Sequence, residues 1–74
     1  GNTAVVTNAN WLSLRSAPEI GDNVITAVPR RQVVTLIGRY GGWVKVRLPG
    51  GLEGWVGSSY LASRVPLDNL PLIR

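Results

Sequence analysis

The apolar residues of this chain arrive in runs too short and too often interrupted to build a helix. No window of helical length carries them at i, i+3, i+4 and i+7, the spacing that gives a helix one buried face. The runs are rich in Val, Ile, Thr and Trp and are cut off by Gly, Pro and Asn. Such residues favour a pleated, half-buried surface. The chain has 74 residues, enough for one domain. At that size only about 60–65% of the unfolded surface is buried, so the core is thin. Together these constraints predict an all-β fold, a small barrel or sandwich of short strands. Closure into a barrel has the advantage of removing exposed edges.

The pattern predicts strands over 4–7, 11–15, 24–28, 33–39, 43–48 and 53–57, with a closing strand over 62–65. In the second strand Leu12 and Leu14 take one side, Ser13 and Arg15 the other. In the fifth, Val44, Val46 and Leu48 face the core while Trp43, Lys45 and Arg47 face out. Residues 16–23 hold Pro18, Gly21, Asp22 and Asn23, a loop by composition. Pro29 ends the third strand, since it cannot donate to a ladder. Ser58 to Leu61 suggests a single 3₁₀ turn capped by a serine. From Pro66 onward alternation is lost. Residues 1–65 are therefore read as the barrel, and 66–74 as a linker or the start of a neighbouring domain.

Composition removes most chemistry. There is no cysteine and no histidine. A transition-metal site, a thiolate nucleophile and a Ser–His–Asp triad all lose their parts. The carboxylates Glu19, Asp22, Glu53 and Asp68 fall in separate loops and turns or in the tail. Paired-carboxylate chemistry needs two of them held about 5–9 Å apart. No phosphate loop follows the glycines. The chain is thus expected to be no enzyme and to hold no cofactor and no metal. Its formal charge is +4, from 8 basic and 4 acidic residues. Only Arg30 and Arg31 are adjacent, so there is no polybasic run. No segment is long and apolar enough to span a membrane.

Three stretches, in order, resemble the bacterial SH3 (SH3b, SH3 type 3) domain family. Leu12-Ser13-Leu14-Arg15-Ser16-Ala17-Pro18 is similar to its L-N-V-R-S-G-P signature. Gly42-Trp43-Val44-Lys45-Val46 is similar to its G-W-x-K-V strand. Gly54-Trp55-Val56 with Tyr60-Leu61 is similar to its G-W-V…Y-L ending. The resemblance covers residues 3 to 62. Ser13 replaces the family's Asn. Ala17 replaces a Gly, so the loop there should not need a positive φ. Arg31 stands where a Gly commonly precedes the long central strand, which leaves the form of that turn open. The resemblance implies an SH3-like barrel of five to six short strands. It also implies an accessory module of an exported, extracytoplasmic bacterial protein, binding cell-wall peptidoglycan or a peptide segment.

Candidate ligand-binding residues follow from outward phase and from residue type. Trp43 projects away from the core and is either covered or offered to a ligand. Lys45 and Arg47 share its face, as a basic-aromatic patch or an ordinary solvated one. Tyr60 lies in a stretch that also resembles the eukaryotic SH3 segment whose Tyr lines a peptide groove. The Pro of that segment is absent here, with Gly57 near its place. Arg15 would meet a ligand carboxylate or hold its own loop. Tyr40 and Trp55 complete the set, while Trp11 is read as packing. The partner is expected to be a wall polymer or peptide, with another domain of the same chain reached through 66–74. An alternative is a protein-interaction or spacer module without wall affinity. Nucleic-acid binding comes third, because the bases are scattered.

Overall fold

Alternating burial along the strands draws the chain into a single sheet around one core. The computed structural model describes residues 2–73; Gly1 and Arg74 lie outside the described residues. The strands are β1 (Thr3–Val6), β2 (Trp11–Arg15), β3 (Val24–Pro29), β4 (Val33–Tyr40), β5 (Trp43–Arg47), β6 (Glu53–Gly57) and β7 (Leu61–Ala62). They pair antiparallel in the order β3-β2-β6-β5-β4-β1-β7. The fold is all-β, as expected, and its seven strands match the seven runs of the pattern, the closing one included. The closing strand is short: Leu61 and Ala62 pair with Val6 and Val5. It starts before residue 62 and stops far short of 65. The Val65 N–H turns locally to donate to Ser63 Oγ at 3.1 Å instead of continuing a ladder.

Leu12 and Leu14 of β2, Val34 and Leu36 of β4, Val44 and Val46 of β5 and Val56 of β6 fill the core. Each lies on the inward phase of its strand. A bulge between Leu36 and Gly38 sets two residues of β4 against one of β5, which bends the strand without losing its inward phase. The 3₁₀ turn η1 (Ser58–Tyr60) is present, but it has no serine cap. Its N-cap is Gly57, no side chain caps it, and the Ser58 N–H instead donates to the Gly42 carbonyl at 2.9 Å.

Two substitutions of glycine in the family pattern have different outcomes. Ala17 does not take a positive φ, as expected. Arg31 does, at 74°, so the turn before β4 keeps the left-handed form that suits glycine. Its N–H donates to the Val6 carbonyl at 2.9 Å, and Gln32 N–H to Pro29 O at 3.2 Å. The hydrogen bonds hold a conformation that an L-residue resists.

Through residue 73 the 66–74 segment is seated on the barrel. A second 3₁₀ turn, η2 (Leu67–Asn69), puts Leu70 into the core at 5% exposure. The chain then runs alongside the end of β4. Arg39 N–H donates to Pro71 O at 2.8 Å, Ile73 N–H donates to Arg39 O at 2.9 Å, and Leu72 forms a parallel bridge with Arg39. This covers part of β4's edge, which would otherwise be open to another strand. Gly38 makes the seat possible. A Cβ there would lie 2.7 Å from Ile73 Cδ1 and 2.9 Å from the Pro71 carbonyl oxygen.

Two changes should move stability in opposite directions in urea unfolding. Gly38→Ala should destabilise by about 1–3 kcal/mol, the cost of overpacking against backbone. Arg31→Gly should stabilise by up to about 1 kcal/mol, since relief of the left-handed penalty exceeds the added backbone entropy.

Candidate functional site

Because Leu12 and Leu14 point inward, their neighbours Trp11, Ser13 and Arg15 point out. The same phase rule sends Trp43 outward from β5. Trp11, Trp43 and Tyr60 come together around a groove of about 240 Å³, open to solvent, with Ser13 and Arg15 also lining it. Ile20, from the 16–23 loop, forms part of its wall. Trp11 is 67% exposed, Ile20 81% and Tyr60 38%. Exposed apolar side chains gathered about one concave surface are a mark of an interaction site. Gly57 pairs with Trp43 in the β5–β6 ladder. A Cβ on Gly57 would come within 3.1 Å of the Tyr60 ring. The missing side chain thus lets the Tyr60 ring approach the strand beside Trp43.

Arg15 organises the loop. Its Nη1 donates to the Gly21 carbonyl and to Asn23 Oδ1, both at 3.0 Å. Asn23 Nδ2 donates in turn to the Glu19 carbonyl at 3.0 Å, and Ser16 N–H to Asn23 O at 2.9 Å. Ile20 lies between the tethered Glu19 and Gly21. Arg15 therefore lines the groove, while its guanidinium is used by its own loop.

The other candidates lie elsewhere. Lys45 and Arg47 point outward from β5, but Glu53 of β6 meets both. Arg47 Nη2 lies 2.8 Å from Glu53 Oε2 and Lys45 Nζ 3.9 Å from Oε1. These groups are about a third to half exposed, so each pair contributes under about 1 kcal/mol. Its effect is to balance charge locally. Tyr40 is half-buried opposite Trp43 in the β4–β5 ladder and does not line the groove. Trp55 shares the outward phase, yet it is 5% exposed. It sits in register between Arg15 of β2 and Lys45 of β5 and offers a ligand no surface. Trp11, read as packing, is the residue that opens to solvent. Its signal was there in the phase it shares with Ser13 and Arg15. Ile20 also lines the groove, and its signal in the sequence is that it is the one large aliphatic of the 16–23 loop. Among the described residues, no group of three or more acidic side chains is placed to hold a metal ion.

The family described as "Bacterial SH3 domain" matches residues 11–62 of the chain. A curated relative, the "Probable endopeptidase p60" of Listeria grayi, is 32% identical over 56 residues, covering 74% of this chain and 11% of that protein. The chain thus spans about a tenth of the length of that relative. No solved structure matches it.

Removing the Arg15 guanidinium should free the loop and leave the barrel intact. In Arg15→Ala, the Asn23 side chain loses a donor and Gly21 O loses its partner. Amide hydrogen exchange within 16–23 should quicken about tenfold or more, as expected when local opening becomes easier by about 1.4 kcal/mol. Exchange at Val44 and Val46 should stay within about twofold.

Proposed function

The chain belongs to the bacterial SH3 domain family, and we propose that it is the non-catalytic binding and targeting module of a larger exported bacterial protein. Its ligand is cell-wall peptidoglycan or a peptide segment, held in the groove of Trp11, Trp43 and Tyr60. The module includes the 66–73 segment, since Leu70 is buried in the core and Pro71 and Ile73 are bonded to Arg39. The observation that carries this reading is the gathering of three aromatic side chains from β2, β5 and η1 on one open surface. Large rigid aromatics bind at small cost in conformational entropy. The p60 relative is named a probable endopeptidase. A binding module in such a protein would hold the substrate of a catalytic domain that lies elsewhere in the chain.

The groove also suggests how the ligand is gripped. Arg15 is tied to its loop and Lys45 and Arg47 are balanced by Glu53. Stacking and apolar contact, rather than pairing of ligand carboxylates with these bases, then supply the affinity. This separates the reading from nucleic-acid binding, which depends on phosphate neutralisation and weakens steeply with salt.

The test is co-sedimentation with purified cell wall. The protein should pellet at low salt, and its affinity should change by no more than about threefold between about 50 mM and 0.5 M salt. Trp11→Ala should weaken binding about tenfold, or 1.4 kcal/mol, with the fold unchanged because its side chain is already exposed. Protein left wholly in the supernatant at low salt would refute wall binding.

A further inference from the structure

The groove of Trp11, Trp43 and Tyr60 is smaller than the ~300–1,000 Å³ of sites that enclose a drug-sized ligand. It takes a short unit of a longer molecule. A second groove of about 390 Å³ lies on the surface, and Trp43 lines it too. Its other lining residues include Arg39 of β4, Ser58 of η1 and, from the segment after the barrel, Pro66, Leu67 and Asp68.

That segment is held in place by the side chain that lines the groove. Arg39 Nε donates to the carbonyls of Asp68 and Leu70, both at 3.1 Å. The backbone bonds of Arg39 to Pro71 and Ile73 fix the same stretch from the other end. The second groove is therefore preformed, and preformed sites bind without the cost of ordering a loop. Its chemistry differs from the first. It carries a guanidinium, a carboxylate and a hydroxyl, where the first is mainly aromatic and aliphatic. The Arg39 terminal nitrogens make no hydrogen bond among the described residues, and a guanidinium fork suits a carboxylate.

We infer that the 66–68 segment completes a second subsite, which shares Trp43 with the first, for the polar peptide unit of an extended chain ligand. This rests on the proposed wall-binding function and makes it more specific. An apolar unit lies on Trp11 and Tyr60. The next unit carries peptide amides and a carboxylate, and it meets Arg39, Ser58 and Asp68. A ligand that fills both grooves gains by linkage, since the second contact is made at high effective concentration.

Two-dimensional ¹⁵N–¹H spectra can test this on the intact chain. The probes are soluble disaccharide-peptide fragments of peptidoglycan and their cross-linked dimers. The dimers should shift the amides of Ser58, Leu67 and Asp68 together with those of Ser13 and Ile20. Pro66 is exposed, so Pro66→Trp should fill the second groove without disturbing the core. It should weaken dimer binding at least about fivefold and leave the monomeric fragment within about twofold. Shifts confined to Ser13 and Ile20, with no effect of Pro66→Trp, would overturn the second subsite and leave the function standing. Unshifted spectra with both probes would overturn the function and the subsite together.

Discussion

The core of this barrel is narrow, and its contents decide where everything else goes. Its most deeply buried side chains are Leu14, Val6, Val28, Val34, Val44, Val46 and Val56. All are aliphatic, and all but one are valine. Fully burying such a side chain stabilises by about 1.5–3 kcal/mol, so a few of them account for much of what a small domain needs. The tryptophans are excluded from the aliphatic cluster and carried on outward phases. Trp55 is covered between its cross-strand neighbours Arg15 and Lys45. Trp11 and Trp43 remain to build a surface. The aromatic groove is thus a consequence of how the core is filled.

The arginines act mainly as structural donors. Arg15 binds carbonyl and amide oxygens of the 16–23 loop, Arg39 binds carbonyls of the 66–73 segment, and Arg30 Nε donates to Ala9 O at 3.3 Å. Arg47 is paired with Glu53. Four of the seven arginine side chains thus take part in holding the fold. The loop and the tail, both anchored by guanidinium groups, border grooves that share Trp43.

The strands could be read from alternation because one-sided burial repeats with period two. The spans of β2 and β6 follow from Trp11 to Arg15 and from Glu53 to Gly57 without adjustment. Trp43 and Tyr60 were legible as outward aromatics near a turn. Other features depend on contacts between residues far apart in the chain. The role of Arg15 rests on acceptors six and eight residues away in a folded loop. The burial of Trp55 rests on side chains of two other strands. The seat of Leu70 rests on a 3₁₀ turn that breaks the alternation and brings the tail back to β4. Arg31 shows a local conformation surviving a change of residue, because hydrogen bonds from the turn to β1 and Pro29 hold it.

Tryptophan fluorescence offers the most direct test of the division between a covered Trp55 and a ligand-facing Trp11 and Trp43. Wall fragments should be added to saturation, with binding followed independently by ultrafiltration, and acrylamide quenching measured before and after. The account predicts a blue shift in emission and loss of the readily quenched fraction, as the exposed indoles are covered. Saturated binding with emission and quenching unchanged would contradict it, placing the ligand on another face of the barrel.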